Sequence, residues 1–177
     1  MPTASNRIEL NEQELREVTG YAAACARRAL PLFETHQPTD SRPREAIEAA
    51  EAFAKGGKRT NELRQKAWAA YKAAQETTGE VAVAAARSAS HAAAAAFLHP
   101  LASAHQVKHI LGAAAHAARA EEFAAEADPE TTEGTLTWAR QYAPTAVTAV
   151  LGRLPAAPSG GGRVGEIIRN LDSALRA

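Results

Sequence analysis

Five of the six histidines in this 177-residue chain fall in one stretch: His91, His99, His105, His109 and His116. Imidazole changes charge near neutral pH and is the commonest nitrogen ligand for metals, so the cluster raises acid–base or metal chemistry. On a helix, with 100° per residue, His105 and His109 lie within about 40° of each other. His116 falls about 20° from His105, on the same stripe. An i, i+4 pair such as His105 and His109 suits one divalent ion such as zinc, with His91 from another helix or a carboxylate completing the set. His116 cannot join it, because a rise of about 1.5 Å per residue puts it about 10 Å beyond His109. Gln106 follows His105, so the HExxH pattern of zinc proteases is absent. The competing expectation is that the histidines pack between helices or line a groove, and that no cofactor is bound.

Other chemistries have less to build on. Cys25 lies on an apolar stripe, where thiols are buried and inert. The sequence has no GxSxG elbow, P-loop, CxxC, or GxGxxG after a strand. Gly160-Gly161-Gly162 lacks the lysine of a phosphate loop. Glu121 and Glu122 are adjacent and so point to different sides of a helix. Lys55, Lys58, Arg59, Arg64, Lys66 and Lys72 surround Trp68 and Tyr71, with Glu62 the one acid among them. Aromatics among cations can hold single strands, but the helical spacing of Trp68 and Tyr71 reads more simply as core or boundary. The chain as a whole carries 20 Lys plus Arg against 20 Asp plus Glu. A net charge of zero gives no field to attract phosphates, so nucleic acid is not the expected partner.

The elements that must position these residues are helices. Alanine makes up about a quarter of the chain; it has the highest helix propensity and lets helices approach closely. Aromatics are few and β-branched runs are missing, which leaves little to build strands from. The first helix is expected from Asn11, a cap with Glu14 three residues on. Leu15, Val18, Ala22, Cys25, Ala29 and Leu32 follow at alternating spacings of three and four, one helical stripe. Pro31 is expected to kink or stop it. A second helix is capped by Asp40 or Ser41, starts with Pro43, buries Ile47, Ala50 and Phe53 or Ala54, and ends at Gly56-Gly57. A third runs from about Thr60 to Thr77, with Leu63, Ala67, Ala70, Tyr71 and Ala74 inside. The fourth, Glu80 to Leu98, is apolar nearly all round and belongs in the middle of a bundle. Pro100 is expected to start the fifth, ending near Ala127. Asp128-Pro129 should stop and restart the chain, and a sixth helix spans about Glu130 to Leu154 with a break or kink at Pro144.

The expected fold is all-α, a single-domain bundle of six to seven Ala-rich antiparallel helices, with the chain divided into a helical bundle at 1–154, a Pro/Gly linker at 155–162 and a C-terminal helix at 163–177. The stripe Val164, Ile167, Ile168, Leu171, Leu175 could dock on the bundle or on a second copy as a homo-oligomer. One cysteine excludes an internal disulfide and fits a reducing compartment. The polar N-terminus has no signal-peptide pattern, and the most apolar stretch, Val81 to Leu98, is mostly alanine and too weak to span a membrane. A cytoplasmic protein is expected.

Two segments read together as a pattern: Leu15 to Glu34 (LREVTGYAAACARRALPLFE) leading through RPREAIEAAEAFAKG from Arg42, and Phe97 to Glu122 (FLHPLASAHQVKHILGAAAHAARAEE). The chain from about residue 10 to about 145 resembles the small bacterial all-α family described as Imm-5-like putative immunity proteins. The positions that carry the likeness include Cys25, Pro31, Phe33, Pro43, Ile47, Pro100, His109 and Gly112, mostly structural types. The tail from Pro155 to Ala177 lies beyond it. The resemblance implies a non-enzymatic, all-helical protein that binds and neutralises a partner toxin. Such binding needs a rigid scaffold with a patch of hot-spot side chains. The candidate patches are Arg42 and Arg44 beside a proline loop, and His99, His116 and Arg119 along the histidine stripe. For Arg42 and Arg44 the competing expectation is solvation or ion pairing within the chain.

Overall fold

Helix α1 (Glu12–His36) begins at the expected cap: Asn11 Oδ1 accepts from the Glu14 backbone N–H at 2.8 Å, and Glu14 Oε2 accepts from that of Asn11 at 3.1 Å. The computed structural model describes residues 6–127 and 134–177. Leu15, Val18, Ala22, Cys25 and Ala29 are buried as their spacing predicts, and Leu30 and Phe33 join them. Pro31 does not stop the helix, which continues through another turn. The ring lies in solvent and removes one backbone bond, while buried Leu30 and Phe33 on either side hold the turn against the core.

Helix α2 (Arg42–Ala54) buries Pro43, Ala46, Ile47, Ala50 and Phe53. It ends where Gly56 turns to φ +117° and Gly57 donates back to the Ala52 carbonyl at 2.9 Å. Helix α3 (Asn61–Glu76) buries Leu63, Ala67, Ala70, Ala73 and Ala74, whereas Tyr71, expected inside, is only half-buried. Helix α4 (Glu80–Ala94), followed by a 3₁₀ turn at Ala95–Phe97, is the central element. It packs on α1, α2, α3 and on α5 (Val107–Ala127). More than half of the buried apolar residues are alanine, so the helices meet largely through methyl groups.

Helix α5 starts at Val107, not at Pro100. Residues 98–103 instead run beside the N-terminal segment: Ile8 N–H donates to the Pro100 carbonyl at 3.1 Å, and Ala102 N–H to that of Asn6 at 2.8 Å. This pairing, an isolated bridge between Arg7 and Leu101, draws the backbone out of helical geometry. A 3₁₀ turn at Ala104–Gln106 leads into α5, with Ser103 Oγ accepting from the His105 N–H at 3.3 Å.

The segment expected as one sixth helix forms two, α6 (Thr135–Gln141) and α7 (Thr145–Gly152), because Pro144 cannot donate across the junction. The described residues therefore hold eight α-helices and no strand, where six to seven helices were expected. The stop expected at Asp128-Pro129 lies outside the described residues. The last helix, α8 (Gly162–Arg176), docks on α5, α6 and α7 and buries Ile167, Ile168 and Leu171. The irregular segment that leads into it, residues 155–161, is laced to it. Asp172 accepts from the Ala157 N–H at 3.0 Å and from Arg176 at 2.7 Å, and Arg169 donates to the Gly160 carbonyl at 2.7 Å. Among the described residues no helix is long and apolar enough to cross a membrane.

Candidate functional site

The histidines do not share one stripe. His105 lies on the 3₁₀ turn before α5 and is exposed, so it is out of register with His109 and His116 on the helix proper. His91 of α4 meets His116 of α5 instead: the rings stack with centroids 4.8 Å apart and planes 25° apart. Gly112 makes room for this pair, since a Cβ there would sit 2.5 Å from His91 Nδ1 and 3.0 Å from Cγ. Burial pushes the His91 pKa down to about 4, with His109, Lys108 and Arg87 adding to the effect, and that of His116 to about 3, with His91 and Arg87 adding. His109 is shifted the same way, again mainly by burial. Both stacked rings are neutral at pH 7. Among the described residues no three His, Cys, Asp or Glu side chains are placed to hold a metal ion. His99, at the end of the extended segment, is exposed, and its backbone N–H donates to Gln106 Oε1 at 3.1 Å.

His116 also forms part of a groove of about 420 Å³ where the start of α4, the end of α5 and α8 meet. Val83, Ala84, Phe123 and Val164 make it apolar, and Glu80, Arg87 and Arg119 bring charge to it. Arg119 lies over the Phe123 ring, 3.8 Å from its centroid, and donates to Glu122 at 3.0 Å. Glu122 also takes Arg163 from α8, and the two guanidinium groups hold its carboxyl below the usual range. His116 and Arg119 thus lie at one site, whereas His99 is not among its lining residues.

Arg42 and Arg44 are engaged within the chain. Arg42 donates to both carboxylate oxygens of Asp40, at 3.0 and 2.8 Å, and reaches Glu76 at 2.9 Å. Asp40 Oδ1 also accepts from the Arg42 backbone N–H, fixing the start of α2. Arg44 grips Glu34 through two bonds of 2.8 and 2.6 Å, tying α2 to α1. Cys25 is fully buried, and burial raises its thiol to about 12, so it stays protonated. Its neighbour Tyr21 donates its hydroxyl to the Ala139 carbonyl at 2.9 Å and anchors α6.

One surface residue escaped the sequence reading. Trp68, expected in or beside the core, stands 58% exposed on α3, stacked on Tyr71 at 5.4 Å. Its signal was the run of cations around it rather than its helical spacing.

The family model described as Imm-5 like putative immunity protein matches residues 9–146, from the first cap through α6 to the start of α7. No curated protein and no solved structure matches the chain. The matched part contains the His91–His116 stack, the Gly112 crossing and the arginine-bound start of α2, while α8 lies outside it. Over most of its length, then, this chain belongs to the Imm-5-like putative immunity protein family.

Proposed function

We propose that the chain is a non-enzymatic binding protein of the bacterial cytoplasm that neutralises a partner toxin by occupying it. The observation that carries this reading is the family membership over residues 9–146. The side chains best suited to chemistry by type are arranged for packing. His91 and His116 are stacked and neutral, and Cys25 is held protonated in the core. The scaffold favours recognition: tightly meeting helices and ion pairs such as Arg44–Glu34 and Arg153–Glu14 present a surface that loses little freedom on binding.

The test is co-expression with any toxin domains that are encoded beside its gene. Restored growth, together with a complex that co-elutes on size exclusion, is the expected result. Neighbouring toxins that kill equally with and without the chain, and form no complex with it, would sink the proposal.

A further inference from the structure

We infer that the exposed face of α3 and the loop before it form the recognition surface, and that it takes an acidic protein surface with an apolar pocket for Trp68. This names the partner class for the binding role proposed above and rests on that reading.

Three observations converge there. First, Arg64, Trp68 and Lys72 recur every four residues on α3, and all three are exposed. They draw one line about 12 Å long on the helix surface. Second, the positive charge is unengaged. Among the described residues Lys58, Arg59, Arg64 and Lys72 have no carboxylate within ion-pair distance. Arginines elsewhere, such as Arg27, Arg42, Arg44 and Arg153, are bound to acids. Arg7, Arg28, Arg87, Lys108, Arg140 and Arg169 are also outside these ion pairs but are scattered over other elements, whereas Lys58, Arg59, Arg64 and Lys72 lie within one short stretch against the single acid Glu62, a local positive excess. Third, the cations are positioned. Arg59 and Arg64 lie over the same Phe97 ring, at 5.5 and 4.5 Å, and Arg59 donates to the Ala96 carbonyl at 3.2 Å. Both guanidinium groups are held against that ring before any partner arrives.

Trp and Arg are the side chains that most often dominate a protein interface, and a large exposed indole ringed by oriented cations is such a centre. Charge complementarity then selects acids on the other side and speeds encounter. A single strand of nucleic acid fits less well. It needs a row of open aromatic faces, but Phe97 is covered by the two arginines and Trp68 has one face against Tyr71.

The test uses the full chain and a display library of random peptides, read by affinity of the selected peptides, with oligo(dT) run alongside. Selected peptides are expected to be rich in Asp and Glu with at least one apolar side chain. Their binding should weaken with added salt, fall about 30-fold in Trp68→Ala and at least about tenfold in Arg64→Glu/Lys72→Glu, and persist in Arg140→Glu. Circular dichroism melts that match wild type keep those losses from being folding defects. Peptides without acids, no selected peptides, or peptides that bind the α3 variants as tightly as wild type would overturn the inference. Oligo(dT) binding that is tighter than peptide binding and lost in the same variants would do so too, and would make the face a nucleic-acid surface. Panning involves no toxin, so a failed growth rescue and a failed α3 surface are separate results. Where rescue succeeds, its survival in Trp68→Ala/Arg64→Glu would remove α3 and leave the immunity role.

Discussion

Replacing Gly112 with alanine tests the α4–α5 crossing at its tightest point. The added Cβ would lie 2.5 Å from His91 Nδ1 and 3.0 Å from both Cγ and Cε1. The clash reaches the root of the ring, so turning the tip away does not relieve it. His91 must swing off the His116 ring, now 4.8 Å away, or the two helices must part. Overpacking of this kind costs about 1–3 kcal/mol. Alanine in a helix interior returns roughly 0.5–1 kcal/mol relative to glycine. The expected net loss is roughly 0–2.5 kcal/mol, a Tm drop of up to about 10 °C for a chain of this size. The decisive assay is a double-mutant cycle by urea and thermal unfolding. In a His91→Ala background the obstruction is gone, and Gly112→Ala should become stabilising by roughly 0.5–1 kcal/mol. Stabilisation by Gly112→Ala alone, or the same change in both backgrounds, would refute the reasoning.

Three further outcomes are expected. His91 and His116 titrate at about 4 and about 3 when folded, against about 6.5 when unfolded. The unfolded chain therefore binds more protons as pH falls from about 6.5 toward 4, and folding stability should decline over that window and be fully present above it. Urea midpoints measured across the window should fall less in His116→Phe than in wild type; equal slopes would mean that the His116 ring is not excluded from protonation. Leu171→Ala, at the buried seam between α8 and the bundle, should lower unfolding free energy by about 2–5 kcal/mol. A neutral result would show that α8 does not dock on its own bundle. Melting in zinc, nickel or manganese should leave Tm unchanged. A metal-dependent rise that disappears in His105→Ala/His109→Ala would restore the metal-binding alternative.

Features set by neighbours along the chain were readable from sequence. The Asn11–Glu14 capping box, the glycine stop after α2, the central place of α4 and the stripe of α8 all follow from residues within a few positions of one another. What was misread depends on distant partners. Pro100 has the local marks of a helix start, yet Asn6 and Ile8 hold that segment extended from the far end of the chain. Periodicity assigned His105 and His109 to one helix and could not foresee that a 3₁₀ turn would separate them, or that His91 would find His116. For Arg42 and Arg44 ion pairing within the chain was among the expectations, but of their partners only Asp40 is a near neighbour in sequence, while Glu76 and Glu34 lie on other elements. Trp68 failed for a different reason. Most of the apolar residues of α3 are alanines, which mark a buried face only weakly, and the helix turned most of them inward and its indole out.

The methyl-lined interior also shapes how such a protein can change over generations. At a position such as Ala26, Ala86 or Ala114, fully buried where helices meet, most substitutions add volume that close packing cannot absorb. The remaining small option, glycine, loosens the helix itself. Heritable variation is thereby steered to the outside, where surface substitutions usually change stability by no more than about 0.5 kcal/mol. A frame that is stubborn within and permissive without can take on a different surface by altering a few exposed side chains, while the architecture that displays them is inherited intact.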